Sequence, residues 1–173
     1  MNDATENIYL IGMMGSGKSA TGKVLAPMLD YFFVDLDTEI EKQEKRTIPE
    51  IFSGSGEAYF RDVESAVLER CSKLHDHVFA TGGGIVLREE NVRRMKKTGK
   101  VVLLKGSVET LWQRIRYSQD RPLLNRPDPL GTIRQILADR EVFYEKACHF
   151  SVPTDGKIPD DVAQEIFEIL KAE

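Results

Sequence analysis

The stretch Gly12-Met-Met-Gly-Ser-Gly-Lys-Ser19 places three glycines, one lysine and two hydroxyls in eight residues. It matches the pattern G-x-x-x-x-G-K-[S/T], follows the apolar run Ile8–Ile11 and precedes a helical pattern starting at Lys18. The chemistry of such a segment is anion binding. Glycines let the backbone turn until its N–H groups converge, and the N-terminus of the following helix adds donors and partial positive charge. Lys18 is placed to reach β- and γ-phosphates, and the Ser19 hydroxyl to ligate a Mg²⁺ that holds them. The candidate nucleotide-binding residues are thus Gly15, Ser16, Gly17, Lys18, Ser19 and Ala20. A glycine-rich turn that binds nothing is the bland alternative, and the complete pattern in this context argues against it.

Further reactive side chains follow other apolar runs. In VDLDTEIE, Asp35 and Asp37 stand two apart and share a side of an extended chain. Thr38 and Glu41 read as a T-x-x-E capping box, which leaves both aspartates for a metal's water shell and an acceptor hydroxyl. The alternative is that one of them caps the helix. Thr81 is followed by Gly82, Gly83 and Gly84, a run suited to close approach of backbone to a ligand. A second glycine pair, Gly54 and Gly56, has no preceding strand and is given no nucleotide role. Arg61 has Glu64 three residues on, within pairing reach. Arg140 falls on the apolar stripe Ile133, Ile136, Leu137, Tyr144 and Ala147 of a helix. An inward guanidinium needs an anion: an internal glutamate on one reading, a substrate carboxylate with Arg61 as second arm on the other. Arg121 lies in the proline-rich stretch Arg116–Gly131, where it could close over a triphosphate.

These residues need a frame. The runs Ile8–Ile11, Tyr31–Asp35, Val78–Thr81 and Val101–Leu104 are continuously apolar, as strands are when both faces of a parallel sheet are buried. His149–Val152 is a fifth candidate. Helical patterns lie near Lys18–Leu29, Thr38–Glu44, Glu57–Leu74, Glu89–Lys97, Val108–Tyr117, Thr132–Ala147 and Asp160–Lys171. This alternation predicts a three-layer α/β sandwich, in which ligands bind past the carboxyl ends of the strands.

Composition bounds the rest. The chain has 173 residues, a length for one domain, with 41% hydrophobic and 30% charged residues. A net charge of −4 and a pI near 5.5 argue against general affinity for nucleic acid or an anionic membrane. Cys71 and Cys148 are in no metal or redox spacing and read as reduced cytosolic thiols. The polar opening MNDATEN does not read as a signal peptide, so a cytoplasmic protein is expected. No long exposed apolar stripe demands a partner, which favours a monomer. His75, His77, His149 and Trp112 are read as solvated or packing residues.

The segments GMMGSGKS, VDLDTEIE, IFSGSGEAYFRDVE, ATGGG, RPLL and ADREVFYEKA occur in this order over nearly the whole length. Together they resemble the shikimate kinase family. The resemblance implies one P-loop kinase domain over 1–173, with a five-stranded parallel sheet like that of nucleoside-monophosphate kinases. Residues of about 36–63 would bind substrate and about 113–129 would form a mobile lid. It implies transfer of the γ-phosphoryl of ATP to the 3-hydroxyl of shikimate, with Mg²⁺, in aromatic amino-acid biosynthesis. Carried over by position, Asp37 would bind the substrate hydroxyls and act as base, Arg61 and Arg140 would clamp the carboxylate, and the backbone of Gly82, Gly83 and Gly84 would add contacts. Ser19 would ligate Mg²⁺ with Asp35 in support, Lys18 and Arg121 would contact phosphates, and Arg114 and Lys157 would flank the adenine. Two departures are visible: Ala20 where the family often has threonine, and Val142 where a proline usually follows the DRE triplet.

Two other readings stay open at this level. A gluconate-type kinase would share the P-loop without needing two inward arginines. A regulatory nucleotide-binding module would bind ATP and release no ADP.

Overall fold

The computed structural model describes residues 6–118 and 126–173. Five strands alternate with helices: β1 (Asn7–Ile11), α1 (Lys18–Met28), β2 (Phe32–Asp35), α2 (Leu36–Glu44), α3 (Ile48–Cys71), β3 (His77–Ala80), α4 (Glu89–Thr98), β4 (Gly99–Lys105), α5 (Val108–Ile115), α6 (Pro129–Ala147), β5 (Phe150–Pro153) and α7 (Pro159–Ala172). A single 3-10 turn, Ile85–Leu87, precedes α4. The sheet is wholly parallel in the order β2-β3-β1-β4-β5. All five expected strands form, within two residues at each end.

The continuous apolar runs have their reason in the two cores. Ile8 and Leu10 of β1 point to the face covered by α1 and α7, where Leu25, Val102, Val162 and Ile166 join them. Tyr9 and Ile11 point to the opposite face, against α2, α3, α4 and α6. There the Tyr9 ring stacks on Phe79 at 5.1 Å between centroids. A third cluster, Met13, Met14, Leu111, Ile115 and Ile133, seats the phosphate-loop segment against α5 and α6.

The α3 region departs from expectation. A helical pattern beginning at Glu57 is only its second half. The first half starts at Ile48 under a capping box of Thr47 and Glu50, with Pro49 in the first turn. The two halves meet at Gly56, whose φ of 86° and ψ of 171° interrupt the helix. The Gly54–Gly56 pair therefore sits at a helix kink.

Gly99 faces Asn7 across the β1–β4 ladder. Its φ of 174° is ordinary extended backbone, but a methyl there would sit 2.0 Å from the Asn7 carbonyl oxygen. Because that neighbour is backbone, the strands themselves would have to part. Gly99→Ala is expected to cost about 2 kcal/mol of stability, read as a lower denaturant midpoint with an unchanged slope.

Candidate active site

Three glycines of the phosphate-loop segment have positive φ: 143° at Gly12, 79° at Gly15 and 91° at Gly17. Two of them show why. A methyl at Gly15 would lie 2.8 Å from the Ile115 side chain, and Gly17 takes the left-handed conformation that starts α1. The start of α1 has no side-chain cap and no acidic residue in its first turn, so its donors and dipole are available to an anion. The Lys18 ammonium lies back over the loop, donating to the carbonyls of Gly12 at 2.8 Å and Met13 at 3.0 Å. Ser16 is buried with its hydroxyl lacking any partner.

The expectation that both aspartates escape capping is overturned at Asp35. Helix α2 begins at Leu36, two residues before Thr38, because Asp35 Oδ1 accepts from the N–H groups of Asp37 and Thr38. Glu41, cast as the reciprocal half of a box with Thr38, instead accepts from the Ile48 N–H at the head of α3. The other Asp35 oxygen accepts from the Ser19 hydroxyl at 2.5 Å. The pair is an all-oxygen donor set of the kind Mg²⁺ takes, since that ion keeps several waters and uses few protein ligands. No three His, Cys, Asp or Glu side chains gather as a metal cage among the described residues. Asp37 sits in the first turn of α2, where the helix N-terminus favours its charge.

The triglycine segment serves its own neighbours as well as any ligand. A methyl at Gly82 would lie 2.7 Å from Glu64 Oε1 and 3.2 Å from Asp37 Oδ1. One at Gly83 would lie 3.4 Å from Arg140 Nη1, and one at Gly84 only 2.2 Å from Arg61 Nη2. Absent side chains thus let Asp37, Glu64, Arg61 and Arg140 close on one stretch of backbone. Arg61 donates to Glu64 at 2.8 Å, within a pair whose side chains are 12% and 1% exposed, and also reaches Glu57 at 3.5 Å. Burial pushes the Glu64 carboxyl up, against the pull of Arg61. Arg61 Nε and Glu64 Oε1 are both buried without a partner, a donor and an acceptor left unused beside the triglycine segment.

A cavity of about 320 Å³ runs from the phosphate loop to Asp37 and Gly83, lined also by Lys18, Ser19, Asp35 and Arg114, with the exposed Ala20 at its rim; the side chains of Arg61 and Arg140 are not part of its lining. Arg114 pins its far side, donating to the Gly15 carbonyl at 3.1 Å and to the Thr154 hydroxyl and carbonyl at 3.0 and 2.8 Å. Lys157, on the loop after β5, is ion-paired with Glu165 of α7. Arg121 lies outside the described residues.

A sequence model described as "Shikimate kinase" matches residues 14–171. The shikimate kinase of Thermodesulfovibrio yellowstonii is 42% identical over 163 residues, covering 94% of each chain. The chain belongs to the shikimate kinase family. The solved shikimate kinase of Acinetobacter baumannii, in complex with shikimate, superposes with a TM-score of 0.95 at 36% identity, covering 98% of this chain and 95% of that one. A gluconokinase of Sinorhizobium meliloti superposes at 0.58 with 15% identity, a likeness of fold alone.

Val142 is exposed on an unbroken α6 that carries the half-buried Arg140. Reading the sequence for reactive side chains undervalues two residues of this shikimate kinase family member. Glu64 registers only as an ion-pair partner, although the structure buries it beside Gly82 with one oxygen unbonded. Tyr144 registers only as a core position, although its spacing of four from Arg140 puts both on one face of α6.

Proposed function

We propose that this chain transfers the γ-phosphoryl group of ATP to the 3-hydroxyl of shikimate, giving shikimate 3-phosphate and ADP in aromatic amino-acid biosynthesis. The observation that carries this reading is the closing of two guanidiniums, Arg61 and Arg140, on the triglycine backbone beside Asp37 in a protein with a nucleotide loop at the next strand end. Gluconate also carries a carboxylate, on an open chain rather than a ring, so turnover on the two acids is what separates the readings.

In this reading Arg61 and Arg140 grip the carboxylate through charge-assisted hydrogen bonds. The Gly82–Gly84 backbone and Asp37 take the hydroxyls, and Asp37 orients the 3-hydroxyl and accepts its proton. Gly15 through Ala20 cradle the phosphates and Lys18 swings from the loop carbonyls to the transferring group. Ser19 and Asp35 hold Mg²⁺, which supplies neutralisation of the phosphate charge. Arg114 and Lys157 border the adenine, and Arg121 closes with a lid of about residues 113–129 to exclude water. Residues of about 36–63 form the acceptor-binding region. Catalysis then rests mainly on positioning and electrostatics, as phosphoryl transfer through a loose transition state requires. No helix among the described residues is long and apolar enough to cross a membrane. We take the working form to be a cytoplasmic monomer.

The test is ADP release measured with Mg·ATP and either shikimate or gluconate. Turnover with shikimate and none with gluconate is expected. Protein that binds ATP yet yields no ADP with shikimate would overturn the assignment.

A further inference from the structure

Three consecutive glycines are the most conformationally free stretch a chain can contain, yet Gly82–Gly84 must present a fixed surface to Asp37, Arg61 and Arg140. Each carbonyl of the run is held, two by local turn bonds and one from a distant element. The Gly82 carbonyl accepts from the Ile85 N–H at 3.2 Å and the Gly84 carbonyl from the Leu87 N–H at 3.1 Å, both within the local turn. The Gly83 carbonyl is held from another element: the Tyr144 hydroxyl donates to it at 2.5 Å across 61 residues of sequence.

The surroundings give this bond consequences. Tyr144 is 2% exposed on α6, one turn beyond Arg140, with its hydroxyl 3.9 Å from the Met13 sulfur of the phosphate loop. Gly83 is wedged between Arg140 and that same loop: a methyl built on it would lie 3.6 Å from the Gly12 oxygen and 3.7 Å from the Met14 nitrogen. Because a peptide unit is planar and trans, holding the Gly83 oxygen also fixes the opposed Gly84 N–H. Burial raises the phenol's pKa, so it remains a donor throughout the neutral range.

We propose that Tyr144 is a positioning residue of the acceptor site, whose hydroxyl tethers the triglycine turn to the helix carrying Arg140 and so fixes the backbone that meets the substrate against the guanidinium that grips it. This rests on the proposed function, since it assigns Gly83, Gly84 and Arg140 to the shikimate side.

The test is Tyr144→Phe, which keeps the ring and removes the oxygen. The KM for shikimate is expected to rise about 10-fold, with the KM for ATP within twofold of wild type. Tyr144→Met, which refills the volume without an oxygen, serves as the second variant and is expected to show the same split. A shikimate KM within twofold of wild type in either folded variant overturns the inference. So does an equal rise in both KM values, which reports a general distortion. Wild-type protein assayed alongside separates the two ideas: if it fails to turn over shikimate, the functional reading falls first.

Discussion

Asp37→Asn should lower kcat by about 10²–10³-fold while leaving the KM for ATP within about threefold of its value. General-base assistance contributes on the order of 10²–10⁴ in rate. Here the lower part of that range applies, because a loose transition state asks little of the base and asparagine keeps the size and one acceptor oxygen of the carboxylate. What it loses is the ability to take the proton, together with the certainty that an acceptor faces the hydroxyl. The ATP side should change less, because the carbonyls that hold Lys18, the Ser19 hydroxyl and the Asp35 carboxylate are all kept, as is the backbone N–H of residue 37 that bonds Asp35. Initial rates of ADP release over both substrate concentrations give the two constants, and a kcat within threefold of wild type would remove Asp37 from the catalytic role.

The second large effect comes from the smallest change. Gly84→Ala puts a methyl 2.2 Å from Arg61 Nη2 and 2.5 Å from Cζ, far inside contact distance. The Gly84 φ of −102° suits alanine, so the backbone carries no strain. The obstacle is the end of a flexible side chain, so the fold should survive, though leaving the buried Glu64 without its arginine lowers stability. Arg61 must then leave its place, breaking its 2.8 Å bond to buried Glu64 and vacating the substrate fork. Hydrogen bonds to charged groups are worth about 1.5–3 kcal/mol, which sets the expected rise in the shikimate KM at about 100-fold, with the ATP KM unchanged. An unaltered shikimate KM in folded Gly84→Ala protein would show that Arg61 is not part of the fork.

Much of this was legible in the chain because its causes are local. Strands buried on both faces have no reason to alternate, so their apolar runs stand out. Arg140 was visible because a cation on an apolar stripe contradicts the stripe. The errors arose where two local signals competed. The T-x-x-E pattern occurs at Thr38 and at Thr47, and only the second caps a helix, because Asp35 already supplies the cap upstream of the first. The helical pattern read from Glu57 begins nine residues earlier, at Ile48, because the Gly-Ser-Gly at 54–56 only kinks a helix anchored on each side by buried Ile51 and Phe60. The tie from Arg114 to Thr154 spans 40 residues and could not be read from spacing at all.

The strand order has a consequence for the making of the protein. β1, which ends at the nucleotide loop, takes its neighbours from Val78–Ala80 on one side and Gly99–Leu103 on the other. A growing chain therefore carries the phosphate-binding sequence long before it holds the strands that support it. Closing such distant pairings is an entropic cost met late in folding. In the folded protein the loop rests on strands that come from both sides of β1 and from far along the chain. A nucleotide that binds the loop therefore draws on the pairing of all three central strands, and its binding energy adds to the stability of the completed sheet.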